Sequence, residues 1–467
     1  MKSIINSKNI GNLPLPYIFV ILVIYLCPNI RLLSIGEMSS LPAFLILFTY
    51  SFLSITEICI FGSIFVLLIF SFLLYAINLQ SYEVTFQSLL ISFYILSVPL
   101  ILSIIIGKLF AVRFTKLPKI KIIKEIKYLV YFFVFIFTLT GLINYFLPTL
   151  LPLILFTGRT SFGRFTFFFS EPSQASSVIL FLWFFAMQFL FNRQFIKYFG
   201  RDYYVYFFIT LTLAILTTFL TLPGTLIMQL FISFSVIPIL YFGLKFTKIL
   251  FQNGIRIKRF SNLLKFKKIN FIFYLVLIFF LGIILQNIFF KVEENASRVD
   301  FLFSQLDNLG ILEGLITAGG FRFYYAFASL KYSIYDLFNL PGNWVGSFQS
   351  DLISSLSSFS IKPDDNLLQL SKDPITIKPL GWFYFCIYDL GILGFLAYLY
   401  LTIGKYLKGL FRGILNLDLF FITIFAFQFA IMVVPVLPST PSIFIPLLLL
   451  IFNFSLKRNL AFKVNKF

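Results

Sequence analysis

Long apolar segments run through almost the whole of this chain and limit what it can fold into. Of its 467 residues, 60% are hydrophobic and only 12% are charged. A helix that crosses a bilayer needs about 20 mostly apolar residues, and its backbone polar groups must be satisfied internally. We therefore predict an all-α polytopic membrane protein with about twelve transmembrane helices. The predicted spans are 16–29, 41–55, 58–78, 86–106, 128–147, 174–191, 204–222, 225–242, 269–290, 379–401, 419–434 and 442–454. Only Glu57 marks a turn between the second and third spans, so these two could be one helix.

One polar segment, residues 291–378, interrupts the apolar pattern late in the chain. It divides the chain into a first membrane part (1–290), a large loop (291–378) and a second membrane part with a tail (379–467). Apolar residues at helical spacing in this loop predict short helices within it. A loop of this size on one face of a membrane protein indicates recognition or chemistry on that face.

Basic residues set the predicted orientation of the spans. They concentrate at 108–127, 193–201, 245–268, 405–412 and 457–466. The positive-inside rule places all five stretches in the cytoplasm, which makes both termini cytoplasmic and the large loop extracytoplasmic. The net charge of +19 is then explained by topology and by contact with anionic lipid headgroups. We expect membrane lipid, and not nucleic acid, to be the partner of this charge.

The residue types that are missing exclude several kinds of chemistry. The chain contains no histidine, so it cannot build histidine zinc sites or Ser-His-Asp triads. Its three cysteines lie in or beside apolar spans, where a disulfide framework is not expected. Phosphate-binding glycine loops are absent from the sequence as well, so we expect no nucleotide, metal or other cofactor.

Arginines and carboxylates on the predicted outer face are the first candidate site residues. Arg159 and Arg164 precede Glu171-Pro172 at the start of the sixth span. Proline suits the first helical turn, and an acidic residue there is favoured by the helix dipole. A capped helix start with two interfacial arginines explains the same pattern without any function.

Arg322 in the large loop is the second candidate. It stands at the start of a predicted helix that runs to Asn339 and includes Asp336. A cation in the first helical turn opposes the dipole, whereas an anion bound jointly by the arginine and the free amides would be stabilised. A diphosphate fits this description. The alternative is a salt bridge from Arg322 to Glu313 or Asp307.

Asp389 is the third candidate, inside the tenth predicted span. A carboxylate within a membrane segment is costly and is a functional candidate by default. The alternative is a buried aspartate that is hydrogen-bonded to a neighbouring helix.

In order along the chain, these motifs resemble the O-antigen polymerase and ligase superfamily. The resemblance is carried by Arg164, Ser170-Glu171-Pro172-Ser173, Arg322, Pro341-Gly342 and Asp389-Leu390-Gly391-Ile392-Leu393-Gly394. It implies transfer of glycans from undecaprenyl diphosphate at the outer face of a bacterial inner membrane, without metal or nucleotide. It also implies a chain-length regulator as a partner. In the ligase branch, the resemblance implies a His-Asn or similar pair about eleven residues before the glycine of the tenth span, where this chain has Leu380-Gly381. The polymerase branch is therefore favoured.

Under this interpretation we assign expected roles to six residues. Arg159, Arg164 and Arg322 would bind the substrate diphosphate, and Glu171 would be the first candidate base, with Asp336 and Asp389 as the alternatives. Two other classes of protein stay open. A lipid-linked oligosaccharide flippase or another transporter also has about twelve spans, although the two halves of this chain do not match as repeats. A structural or assembly protein would leave the external arginines unexplained.

Overall fold

The computed structural model describes residues 14, 18–19, 22, 55–78, 86–147, 167, 172–192, 196, 199–221, 224–253, 325–326, 328–331, 352, 381–434 and 441–464. Within them the regular structure is helical and contains no strand, which confirms the all-α prediction for this part of the chain. The α-helices are α1 Ile55–Asn78, α2 Phe86–Lys116, α3 Lys119–Phe146, α4 Pro172–Phe191, α5 Tyr203–Thr221, α6 Gly224–Asn253, α7 Trp382–Leu415, α8 Leu419–Val433 and α9 Ile445–Val464. Short 3₁₀ turns, Gly200–Asp202 and Pro441–Phe444, lead into α5 and α9.

Each of these helices overlaps a predicted span. The turn predicted at Glu57 is wrong, because α1 runs without a break from Ile55, the last residue of the second predicted span, through the third span. Five of the described helices, α2, α3, α5, α6 and α7, are long and apolar enough to cross a membrane. The others contain shorter apolar stretches. This pattern is that of a membrane protein. The predicted spans 16–29, 41–55 and 269–290 lie almost wholly outside the described residues, so the number twelve stays a prediction.

Several helices extend beyond their predicted ends into the basic segments. α2 runs to Lys116, α6 to Asn253 and α7 to Leu415. Lysine and arginine are good helix formers, and they are favoured near a helix C-terminus by the dipole. The last turn of α2 contains Arg113 and Lys116. The predicted ends lie where the apolar residues end, and these helices continue beyond that point.

An ion pair joins α2 to α3 across the turn between them. Arg113 donates from Nε to Glu125 Oε2 at 2.9 Å and from Nη2 to Oε1 at 2.5 Å. The side chains are only 10% and 15% exposed. A two-point contact of this kind is both stronger and more directional than a single charge contact. It therefore fixes the angle at which α3 leaves the turn.

The chain forms two compact units. Unit 1 comprises Met1–Phe70, Leu89–Ser233 and Leu396–Phe467, and unit 2 comprises Ser71–Ser88 and Phe234–Phe395. In unit 1, α4 packs against α5, and Trp183 Nε1 donates to Thr218 Oγ1 at 2.9 Å. In the most apolar 18-residue stretch of each helix, 83% of α2 is buried but only 22% of α3. α2 is thus an inner helix, and α3 has a large face for lipid.

Gly107 allows α2 and α9 to approach closely in unit 1. A Cβ at this position would lie 2.9 Å from the carbonyl oxygen of Leu448 and 3.0 Å from Cγ2 of Ile451. Both distances are shorter than a normal contact. Small residues at such crossings let helix backbones pack in membranes, where dispersion replaces the hydrophobic effect as the main attraction.

We expect Gly107→Leu to separate α2 from α9 and to lower the free energy of unfolding by about 1–3 kcal/mol, the usual cost of overpacking. Thermal unfolding of the detergent-purified protein measures this. Gly62→Leu in α1 is the matched control, because a Cβ at Gly62 would meet no described atom within 4 Å. Equal melting temperatures for the two variants would contradict the close crossing.

Candidate functional site

A helix break in α7 is the most distinctive backbone feature near a predicted site residue. Gly391 has φ 67° and ψ 172°, a combination that is essentially restricted to glycine. It divides α7 into segments 382–390 and 392–415. Such a break interrupts the hydrogen-bond ladder of the helix, and it brings backbone carbonyl and N–H groups of the two helix ends close to the same point.

Aromatic contacts show that the chain turns sharply at this break. The rings of Trp382 and Phe395 are 6.0 Å apart, and those of Phe383 and Phe395 are 5.6 Å apart. In a straight helix, residues 382 and 395 would be about 20 Å apart along the axis. The segment before Gly391 therefore bends back toward the start of the segment after it. The described part of the predicted span 379–401 is helical from Trp382, but it is not straight.

Asp389 lies two residues before the break and is fully buried, with an exposed fraction of 0%. Its neighbours along the chain, Cys386, Tyr388 and Leu390, are buried as well. Removing a carboxylate from water costs several kcal/mol unless hydrogen bonds or a charge partner compensate. A protein retains such a group where it is used or has a dedicated partner. The backbone corner and the buried carboxylate together form the candidate site.

The other predicted site residues, Arg159, Arg164, Glu171, Arg322 and Asp336, lie outside the described residues. Two flanking observations bear on their surroundings. Helix α4 is described from Pro172, and the sequence predicts a helix with Pro172 in its first turn. Residues 325–326 and 328–331 are helical and fall within the helix that the sequence predicts to begin near Arg322. Ser329 Oγ donates to the Tyr325 carbonyl at 2.7 Å there.

Sequence reasoning missed two buried amides. Gln188 of α4 is 1% exposed and Gln229 of α6 is 0% exposed. Neither side chain has a hydrogen-bond partner among the residues that the structure describes. Each glutamine is the polar residue in an otherwise apolar helical turn, as in Ala186-Met187-Gln188-Phe189. That contrast is the signal that could have identified them.

The described residues contain no group of three or more acidic or cysteine side chains that could hold a metal ion. No model of a known protein family, no curated protein and no solved structure matches this chain. The function is therefore inferred from the membrane helices, from the α7 corner and from the sequence motifs.

Proposed function

We propose that this protein is a polysaccharide repeat-unit polymerase of the bacterial inner membrane. It transfers a growing glycan from undecaprenyl diphosphate to a lipid-linked repeat unit, in the biosynthesis of O-antigen, capsule or exopolysaccharide. The observation that carries the proposal is the fully buried Asp389 beside the glycine-only corner at Gly391. This is the Asp-Leu-Gly element that contributes to the resemblance to the O-antigen polymerase and ligase superfamily.

The bend in α7 supports a site near the outer face. The apolar part of the helix after the break, residues 392–404, is about 20 Å long, so it crosses about two thirds of the hydrocarbon layer before the first basic residue. The basic residues Lys405, Lys408 and Arg412 lie in the second half of that helix, which the positive-inside rule assigns to the cytoplasm. Asp389 then belongs at the outer end of this span. A lipid-linked substrate in the outer leaflet would present its diphosphate at about that level.

The proposed reaction breaks one bond and forms one. The bond between the anomeric carbon of the growing glycan and the diphosphate oxygen breaks, and the electron pair leaves with the diphosphate. An acceptor hydroxyl of the new repeat unit attacks that carbon, and its proton passes to a carboxylate. In a single displacement the anomeric configuration inverts. Glu171, Asp389 and Asp336 are the candidate bases.

The arginines have a distinct role in this proposal. Negative charge accumulates on the diphosphate as it leaves, and fixed cations stabilise it far more in a dry site than in water. The forked guanidinium groups of Arg159, Arg164 and Arg322 suit two-point contacts with phosphate oxygens. No metal ion or nucleotide is needed for this chemistry. A chain-length regulator in the same membrane is the proposed protein partner.

A flippase for lipid-linked oligosaccharides is the second candidate function. The α7 break favours it, because transporters also build substrate sites from discontinuous helices. Against it stands the asymmetry of the chain, whose large polar segment lies between the ninth and tenth predicted spans.

Deletion of the gene separates the two functions. Without a polymerase, single repeat units are still flipped and attached, so a gel of surface polysaccharide should show the carrier with one unit and no ladder. Without a flippase, lipid-linked units stay inside and the surface sugar disappears. Restoration of the ladder by the wild-type gene on a plasmid is the control. Complete loss of surface label would contradict the polymerase.

A further inference from the structure

The exposed face of α3 changes its chemistry along the helix. Lys121 and Lys124 are exposed near its start, and Tyr128 and Tyr131 follow at 50% and 52% exposure. The next large exposed side chains are apolar, namely Phe135, Leu139 and Leu142. Successive members of this series are three or four residues apart, so they lie on one face of the helix. That face is first basic, then phenolic and then apolar.

The start of α5 repeats this order. Arg201, in the turn before the helix, is exposed, and Tyr204 is 53% exposed. Phe208 and Leu216 are exposed apolar side chains further along. In both helices the cations precede the predicted span, which begins at Tyr128 in α3 and at Tyr204 in α5. By the predicted topology, these two helix starts face the cytoplasm.

Two contacts hold the helices side by side in unit 1. Lys127 Nζ lies 3.8 Å from Asp202 Oδ2, and the hydroxyl oxygens of Tyr131 and Tyr206 are 3.5 Å apart. Four residues separate the two contacts along each helix, so α3 and α5 run parallel and in step. The cations of the two helices, and also their first exposed tyrosines, therefore lie at similar levels. Since Tyr131 is itself about half exposed, the exposed face of α3 borders α5.

The exposed cations of this face are not neutralised by the carboxylates near them. The starts of α3 and α5 contain two carboxylates, and each already has a cation, Glu125 with Arg113 and Asp202 with Lys127. Among the residues that the structure describes, no carboxylate forms an ion pair with the exposed lysines of α3 or with Arg201. The face therefore presents net positive charge next to its tyrosines.

The order of side chains identifies the kind of partner that fits. Tyrosine is enriched at the membrane–water interface, where its ring meets the acyl chains and its hydroxyl meets the headgroups. Each Lys or Arg near an anionic membrane surface strengthens binding about fivefold. The apolar part from Tyr131 to Leu142 is about 16 Å long, roughly one leaflet of a 30 Å hydrocarbon layer. A partner with an anionic head and chains of one leaflet's depth is a phospholipid.

We propose that this face of α3 and α5 is a binding surface for anionic phospholipid of the cytoplasmic leaflet. The phosphate lies among Lys121, Lys124 and Arg201, and the hydroxyls of Tyr128 and Tyr204 donate to the headgroup. The acyl chains cover the apolar side chains beyond. The general attraction of basic segments to a membrane gives no such selectivity, because it does not distinguish one basic helix end from another. The inference does not depend on the proposed enzymatic function.

The first test compares two charge-removal variants of the full-length protein. Lys121→Gln with Lys124→Gln removes two cations from the proposed surface. Lys245→Gln with Lys248→Gln removes two cations at the same spacing from the end of α6, which is also predicted to be cytoplasmic. The tyrosine at that end, Tyr241, is only 5% exposed, so the α6 variant is the matched control. Native mass spectrometry measures the lipids retained from micelles that contain equal amounts of phosphatidylglycerol and phosphatidylcholine with the same acyl chains.

We expect the wild-type protein to retain phosphatidylglycerol in preference to phosphatidylcholine. The α3 double variant should lose about fivefold of this preference for each cation removed, and the α6 double variant should lose clearly less. Equal losses in the two variants would overturn the proposal, because charge alone would then explain the binding. A wild-type protein that retains both lipids equally would overturn it as well. Thermal unfolding without added lipid checks that both variants are folded.

The second test uses the wild-type protein, so it does not depend on the folding of a variant. Phosphatidylcholine vesicles that contain the protein receive a small fraction of a photoreactive probe, either phosphatidylglycerol or phosphatidylcholine, with the reactive group near the glycerol. Mass spectrometry then locates the labelled residues. The ratio of labelling by the phosphatidylglycerol probe to labelling by the phosphatidylcholine probe should be higher at residues 128–135 of α3 than at residues 239–246 of α6. Equal ratios in the two helices would overturn the proposed surface.

Discussion

Arg322→Ala is expected to abolish polymer formation while the protein still accumulates in the membrane. The sequence predicts Arg322 at the first turn of a helix, where the dipole disfavours a cation by about 0.3–1 kcal/mol. A bound diphosphate reverses this sign, because the arginine and the free amides then share an anion. Arg322→Lys should retain little activity, since an ammonium group cannot make the forked contact of a guanidinium. The ladder of surface polysaccharide and an immunoblot of the membrane fraction measure the two effects.

Lys362→Ala is the control for this experiment, because it removes a cation from the same loop and should leave the ladder unchanged. Arg164→Ala should behave as Arg322→Ala does if both arginines bind the diphosphate. A full-length ladder from Arg322→Ala cells with normal protein levels would reduce Arg322 to a salt-bridge partner of Glu313 or Asp307.

Asp389→Asn is expected to have the second large effect. A positioned general base contributes about 10²–10⁴-fold to a rate, so the polymerisation rate should fall by at least about 100-fold if Asp389 takes the acceptor proton. Asparagine has nearly the same shape and fits the buried position, so the melting temperature should change little. The rate is measured in membranes supplied with lipid-linked repeat units, and thermal unfolding of the purified variant checks the fold.

Gly391→Ala should also slow the reaction, because a side chain at φ 67° and ψ 172° costs about 1–3 kcal/mol. The backbone at residue 391 would then change its angles to relieve the strain, and this change would move Asp389 away from its position. Gly404→Ala in the same helix is the control, since its Cβ would lie at an ordinary 3.4 Å from the Tyr400 ring. An active Asp389→Asn enzyme would show that Asp389 is a buried structural aspartate and would leave Glu171 as the first candidate base.

The positions of the described helices follow from hydropathy because lipid selects for apolar segments of a fixed length. The predicted start at Phe86 and the predicted end at Phe191 agree with the ends of α2 and α4. The cytoplasmic ends were less predictable. Hydropathy falls at Lys108, but the hydrogen-bond ladder continues to Lys116, because the helix needs backbone hydrogen bonds and not apolar side chains.

The candidate site was predictable in part. Asp389 can be identified from the sequence alone, because it is a carboxylate within an apolar span and burying a carboxylate is costly in any membrane helix. The corner at Gly391 was not predictable, because glycine also occurs in continuous membrane helices. What distinguishes Gly391 is the contact of Trp382 and Phe383 with Phe395, which depends on packing within unit 2. Gln188 was missed because its apolar neighbours dominate the hydropathy of α4.

The most direct test of the polymerase is reconstitution of the purified protein in liposomes. Lipid-linked repeat units extracted from the deletion strain serve as both donor and acceptor. We predict undecaprenyl-linked glycans that lengthen by whole repeat units, with one undecaprenyl diphosphate released for each unit added, and no lengthening with Asp389→Asn or Arg322→Ala. Folded wild-type protein that moves the units across the bilayer without lengthening them would contradict this account and identify a flippase.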